Sequence, residues 1–127
     1  MGRETILVAD DDVLVRNMVR KILVHSGYRV ITAANGAEAL GIMDSHDGGI
    51  DLVLTDVIMP EMDGVELARK IMFTHPEMKV LFRSGYTSDI RMDVVGEGKG
   101  HFIEKPFDLP TLVRKVRDTL DDGAAGA

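Results

Sequence analysis

Residues 52–60 read LVLTDVIMP, an apolar run that ends in one acid, Asp56, shortly before a proline. Three other polar elements also follow apolar runs: Asp10-Asp11-Asp12 after ILVA, Ser84 after VLFR, and Lys105 after FIE. Continuous apolar runs are typical of strands that are covered on both faces of a parallel sheet. Because parallel strands of an open α/β sheet end at one edge, we expect these polar groups to converge there.

Strand-like and helix-like stretches alternate about five times along the chain. In the first helix, Leu14, Met18, Ile22 and Leu23 recur at helical spacing as the predicted inner face, and Gly27 ends it. Asn35 with Glu38 three residues later predicts the start of the second helix. The (βα)5 order predicts one doubly wound α/β domain at residues 4–121, with a five-stranded parallel sheet. Residues 122–127, rich in Gly and Ala, are predicted to be a flexible tail.

The composition argues against several classes of function. The chain has 127 residues, of which 45% are hydrophobic and 28% charged, as in one ordinary globular domain. A net charge of −6 argues against direct binding to nucleic acid or to an anionic membrane. The chain has no cysteine and no apolar stretch near the roughly 20 residues of a membrane span. A strand-like run begins by Ile6 and leaves no room for a signal peptide, so we expect a cytoplasmic protein.

The consecutive acids Asp10, Asp11 and Asp12 repel one another, and no neighbouring residue neutralises them. One acid is enough to cap the first helix, and one of the three is predicted to do so. Since Mg²⁺ takes oxygen ligands, the cluster predicts a metal site. Asp56 fits an ordinary turn, but beside a metal its carboxylate can accept a phosphoryl group to form an acyl phosphate.

Ser84 and Lys105 add a hydroxyl and a cation to the same predicted edge. Because Pro106 follows Lys105, the lysine backbone is restricted to extended conformations, which aims its side chain along the edge. There it can pair with Asp56 or with a phosphoryl oxygen. Arg83 is a charge where an apolar residue would be unremarkable, and no pattern in the sequence accounts for it.

The chain resembles the receiver (CheY-like) domain of two-component response regulators, which has a flavodoxin-like fold, over roughly Glu4 to Leu120. The resemblance rests on four ordered motifs: Asp10-Asp11, Asp56-Val57-Ile58-Met59-Pro60, Ser84-Gly85 and Lys105-Pro106-Phe107. It implies that Asp56 accepts phosphate from a histidine of a sensor histidine kinase or a histidine phosphotransfer protein. It further implies that Asp11, Asp56 and the Ile58 carbonyl ligate Mg²⁺, and that Asp10 acts mainly through a bound water.

The resemblance implies a phosphorelay switch rather than an enzyme with an external substrate. Ser84 is expected to hydrogen-bond the phosphoryl group, Lys105 to pair with it, and Phe102 to turn inward behind Ser84. The face formed by the fourth helix, the fifth strand and the fifth helix is then expected to change, and it is the face through which a homodimer would form. Glycines predict a short fourth helix at Ser88–Val95.

Two further expectations concern the surroundings of the pocket. Ile58 and Tyr86 are bulky, and we expect them to shield the acyl phosphate, so that self-dephosphorylation is slow. By family analogy, the partner is expected to contact the first helix and the loop after the fifth strand, at Arg16, Asn17, Arg20, Phe107 and Asp108.

Three alternatives remain open at this level. A phosphatase of the haloacid-dehalogenase type would use Asp10 as nucleophile and Asp12 as acid/base, but the chain is short for that family and Asp56 stays unexplained. A nucleotide- or flavin-binding domain needs glycines in its first turn, where three aspartates would repel a phosphate. A non-phosphorylated interaction module is the third alternative, although nothing in the acid set looks damaged.

Overall fold

A computed structural model describes residues 4–45, 49–56, 59, 62–75, 78–84, 100–104 and 109–126; of residues 84, 100–104, 109 and 122–126 it describes the backbone alone. Within these ranges, strands and helices follow the order β1 (Thr5–Ala9), α1 (Val13–His25), β2 (Arg29–Ala33), α2 (Gly36–Ser45), β3 (Leu52–Asp56), α3 (Gly64–Thr74), β4 (Lys79–Ser84), β5 (Gly100–Glu104) and α4 (Leu109–Gly126). The helix predicted at 88–95 lies outside the described residues. No helix in the described part is both long and apolar enough to cross a membrane.

The five strands form one parallel sheet in the order β2-β1-β3-β4-β5. The register sets Ala9 beside Thr55 and Asp56 beside Arg83. The carboxyl ends of β1, β3 and β4 therefore lie level at one edge. This arrangement confirms the predicted doubly wound parallel sheet.

Two apolar layers cover the sheet, one on each face. Since successive strand residues point to opposite faces, each strand supplies both layers. Leu7, Val53 and Phe82 pack on the side of α2 and α3, whereas Leu54 and Leu81 pack on the side of α1 and α4. Each such fully buried side chain contributes roughly 1.5–3 kcal/mol relative to exposure. The same alternation directs the side chains of Asp56 and Arg83, each two positions further along its strand, toward α1 and α4.

Helix α1 ends at the predicted glycine. Gly27 has a φ of 101°, a left-handed conformation that residues with a β-carbon adopt at a cost. Its N–H donates to the Val24 carbonyl at 3.0 Å, and the Tyr28 N–H donates to the Leu23 carbonyl at 3.1 Å. This pair of bonds is a Schellman motif, which satisfies carbonyls that the helix itself leaves open. The start of α2 is confirmed too, since the Glu38 N–H donates to Asn35 Oδ1 at 2.8 Å.

The predicted inner face of α1 is wrong at two of its four positions. Leu14 is 77% exposed and Met18 is 45% exposed, whereas Ile22 and Leu23 are buried as predicted. The helix instead turns Val19 to the sheet, in a stripe that continues through Ile22 and Leu23 at helical spacing. The stripe is rotated by one residue, about 100°, from the predicted one at its start. An apolar strip of α1 is thereby left in contact with solvent.

Helix α4 is anchored at both its apolar and its polar positions. Leu112, Val116 and Leu120 are buried and recur at helical spacing. Arg117 Nη2 donates to Glu4 Oε2 at 2.7 Å and joins α4 to the residue before β1; this bond holds the pKa of Glu4 below its ordinary value. The helix continues to Gly126, and the flexibility expected of residues 122–127 stays a prediction.

Alanine substitutions at Gly27, after the end of α1, and at Gly41, inside α2, test the backbone conformations of these two glycines. Gly27→Ala forces a β-carbon into the left-handed region and is expected to lower the free energy of unfolding by about 1 kcal/mol. A β-carbon at Gly41, inside α2, would meet no atom within 4 Å. Gly41→Ala is therefore expected to raise the free energy of unfolding by about 0.5–1 kcal/mol. Urea unfolding followed by circular dichroism measures both, and equal signs would contradict the assigned backbone conformations.

Candidate functional site

Three carboxylates meet at the carboxyl edge of the sheet. Asp10 and Asp11 directly follow β1, and Asp56 ends β3. One carboxylate oxygen of each residue lies within 4.8 Å of those of the other two. Asp10 is 1% exposed and Asp56 is 9% exposed, while Asp11 is open to solvent. This set of hard oxygen donors, buried on one side and open on the other, fits a divalent cation such as Mg²⁺ that keeps part of its water shell.

Asp10 is held in place by hydrogen bonds on its side chain and its backbone. Its Oδ1 accepts from the Asp12 N–H at 2.9 Å. Its own N–H donates to the Ala33 carbonyl at 3.1 Å, and its carbonyl accepts from Arg16 Nη1 at 2.8 Å. The carboxylate is therefore fixed in orientation before any cation arrives.

Asp12 serves the helix rather than the cluster. Its Oδ1 accepts from the backbone N–H of Leu14 at 2.9 Å and of Val15 at 3.3 Å, as an N-cap does. The prediction that one of the three acids caps α1 is confirmed. A carboxylate engaged with the first turn of α1 gives no support to the acid/base role that the phosphatase alternative requires of Asp12.

Arg83 places a buried guanidinium among the acids. Its Nη2 forms an ion pair with Asp10 Oδ2 and lies 3.4 Å from Asp56 Oδ2, which accepts a hydrogen bond from it. Burial lowers the pKa of Arg83 to about 10, which leaves the side chain charged at neutral pH. Sequence reasoning assigned this residue no role. The available signal was a charge inside an apolar strand, with Asp56 as its partner in the register.

The other predicted site residues are placed only in part. Ser84 ends β4 and pairs in register with Glu104, and Phe102 lies in β5 beside Phe82. The side chains of Ser84 and Phe102 lie outside what the structure describes, and so do Ile58 and Lys105 entirely. The structure thus brings together Asp10, Asp11 and Asp56, and the roles of the remaining four residues stay predictions.

Known proteins match this chain along nearly its whole length. The model of the response regulator receiver domain matches residues 6–117. The sensor kinase CckA of Brucella abortus is 40% identical over 121 residues, which cover 94% of this chain and 13% of the kinase. The response regulator receiver protein CpdR of the same organism is 35% identical over 116 residues, which cover 91% of this chain and 95% of that protein. The chain therefore spans a small part of the first relative and almost all of the second.

A solved structure of a response regulator matches the fold. The response regulator TrrA of Thermotoga maritima, crystallised in complex with Mg²⁺ and BeF, has a TM-score of 0.81 and 32% identity. The match covers 91% of this chain and 98% of that chain. The flavodoxin-like receiver fold is thus shown by sequence and by structure.

Asp12 and Asp11 are adjacent acids with opposite expected effects on stability. Asp12→Ala removes the cap of α1 and is expected to lower the free energy of unfolding by about 1 kcal/mol. Asp11→Asn removes one of three mutually repelling charges and is expected to leave the metal-free stability unchanged or to raise it. Urea unfolding in EDTA measures both variants. A larger loss in Asp11→Asn than in Asp12→Ala would contradict the roles assigned to the two residues.

Proposed function

The chain belongs to the response regulator receiver domain family of two-component signalling, and on that premise we propose that Asp56 is its phosphoacceptor. The observation that carries the proposal is the convergence of Asp10, Asp11 and Asp56 within 4.8 Å at the carboxyl edge. Asp56 ends a strand with no exposed residue, which fixes the position of its carboxylate. A fixed, partly shielded carboxylate beside two further acids suits covalent catalysis in a cation-bound pocket.

The proposed reaction moves one phosphoryl group between two side chains. A carboxylate oxygen of Asp56 attacks the phosphorus of a phosphohistidine, the new O–P bond forms as the P–N bond breaks, and the histidine nitrogen leaves with the electron pair. Mg²⁺ held by Asp10, Asp11, Asp56 and the Ile58 carbonyl would neutralise charge on the phosphoryl oxygens. Ser84 and Lys105 are proposed to bind those oxygens, as the family resemblance implies.

The proposed consequence is a conformational switch, since the acyl phosphate adds charge and acceptor oxygens to the edge of the sheet. Phe102, behind Ser84 on the neighbouring strand, is the proposed reporter of that change. We propose slow self-dephosphorylation as the only hydrolysis the chain performs, with Ile58 and Tyr86 as the shielding side chains. The face expected to change includes β5 and α4, the helix that the sequence analysis counts as the fifth. Dimerisation through this face stays an expectation.

A sensor histidine kinase or a histidine phosphotransfer protein is the proposed phosphoryl donor, acting in the cytoplasm. One of the relatives is itself named a sensor kinase. Helix α1, which begins next to the site, leaves Leu14 and Met18 exposed and also carries Arg20 at its surface. An apolar strip with cations at its border suits a docking helix face of a protein partner.

The phosphatase alternative, with Asp10 as nucleophile, is not favoured. Both Asp10 carboxylate oxygens are engaged, Oδ1 by the Asp12 N–H and Oδ2 by Arg83. At 1% exposure, Asp10 also offers a substrate little access. Asp56 is the more accessible of the two buried acids.

Intact-mass spectrometry after incubation with Mg²⁺ and acetyl phosphate tests the proposal. Wild type and Asp12→Asn, a matched control at an acid outside the cluster, are expected to gain one phosphoryl adduct. Asp56→Asn, and wild type in EDTA, are expected to gain none, because the acceptor or the cation is missing.

Two outcomes of this experiment would contradict Asp56 as acceptor. One is an adduct that persists in Asp56→Asn; the other is no adduct on folded wild type that binds Mg²⁺. In the second case, turnover of a phosphate ester that is lost in Asp10→Asn would restore the phosphatase alternative.

A further inference from the structure

Arg83 engages one carboxylate oxygen on each of two acids of the cluster that would hold a divalent cation. Its Nη2 pairs with Asp10 Oδ2 and lies 3.4 Å from Asp56 Oδ2. The remaining oxygen of Asp10 already accepts the Asp12 N–H. Asp10 therefore has no oxygen free of a hydrogen-bond donor while Arg83 stays where it is. A cation bound through Asp10 Oδ2 has to displace the guanidinium from that oxygen.

The guanidinium cannot move far into water, because Arg83 is 4% exposed and starts from β4, an interior strand of the sheet. When it leaves Asp10 Oδ2, its charge stays within a few ångströms of the pocket. Like charges at that distance in a weakly polar interior repel strongly. Both the contact and the charge of Arg83 thus oppose an incoming divalent cation.

We propose that Arg83 is a positioning residue that acts as an internal competitor of the divalent cation. In the metal-free chain it holds Asp10 and Asp56 in place as their counter-ion. When the cation binds, Arg83 is displaced, and the cost of that displacement weakens metal binding. One consequence rests on the proposed function. Phosphoryl transfer to Asp56 then needs a higher free Mg²⁺ concentration than it would need with an apolar residue at position 83.

A purely structural role for Arg83 makes the opposite prediction for metal binding. If the ion pair only preorganised Asp10 and Asp56, its loss would disorder both ligands and weaken their affinity for the cation. Competition predicts a gain in affinity together with a loss of metal-free stability. The sign of the change in Mg²⁺ affinity therefore separates the two roles.

Isothermal titration calorimetry with MgCl₂ on the EDTA-stripped full chain measures that sign. Arg83→Gln, which removes the charge, is expected to lower the Mg²⁺ dissociation constant at least about tenfold. Arg69→Gln is the matched control, since Arg69 is exposed on α3, on the opposite face of the sheet. It removes the same charge and is expected to change the constant by less than about twofold, as a screened surface charge does. An unchanged or raised dissociation constant in Arg83→Gln overturns the proposal.

Folding of the variants is followed by circular dichroism in parallel. If Arg83→Gln is unfolded in EDTA but folds on addition of MgCl₂, the metal has replaced the arginine as counter-ion, which supports the proposal. If it stays unfolded at saturating MgCl₂, Arg83→Lys decides: its ammonium is a compact charge without the planar fork, so it blocks fewer oxygens. Arg83→Lys is expected to bind Mg²⁺ with a lower dissociation constant than wild type, and an equal or higher constant overturns the proposal.

The acetyl phosphate experiment keeps this inference separable from the proposed function. Labelling of Asp56 in wild type with no gain of Mg²⁺ affinity in Arg83→Gln would remove only the inference. A gain of affinity without labelling of Asp56 would leave Arg83 as a metal competitor and remove only the proposed phosphoacceptor.

Discussion

The buried contact of Arg83 with Asp10 and Asp56 is the interaction on which the arrangement of the site depends. Three acids close together are unfavourable unless a cation compensates them, and burial makes the penalty larger. Within the described ranges, Arg83 provides that compensation from β4, on the strand beside β3. Breaking a buried pair by removing one partner typically costs about 3–5 kcal/mol, because the other charge stays behind. In the metal-free pocket, the buried charges of Asp10, Asp56 and Arg83 therefore depend on one another.

The parallel register makes this contact possible. It places Asp56 and Arg83 side by side and sets the end of β1 level with the end of β3. Asp10 is oriented by backbone hydrogen bonds, and Asp12 ties the following turn to α1. The acidic pocket is therefore built by strand ends and one helix cap, which are rigid elements. Rigid placement is what a phosphoryl-transfer site needs, since its catalysis comes mainly from positioning and charge.

Much of the fold and the acid cluster of the site were predictable because their causes are local. Strand ends, the left-handed Gly27 and the Asn35 cap are all set by a few neighbouring residues. The cluster of Asp10, Asp11 and Asp56 was predictable because parallel strands end at one edge. These features need only the order of elements and no knowledge of side-chain contacts.

The failures have non-local causes. Helix α1 carries apolar residues nearly all round its first half, so periodicity alone could not tell that Val19, and not Met18, meets the sheet. Arg83 was unexplained because its partners lie at the ends of other strands; Asp56 is 27 positions away in sequence. A charge inside an apolar strand indicates a buried partner, but only the register shows which one.

The most direct measurement is the nuclear magnetic resonance of the Arg83 side chain during a Mg²⁺ titration. The Arg83 Nε–Hε signal, assigned by its loss in Arg83→Lys, is expected to be sharp and protected from solvent exchange in EDTA. It should shift as Mg²⁺ is added and stop shifting when Asp10 and Asp56 are saturated, because the cation displaces the guanidinium. An Arg83 signal that stays unchanged while the backbone amides of Asp10 and Asp56 report saturation would contradict a pocket shared between arginine and metal.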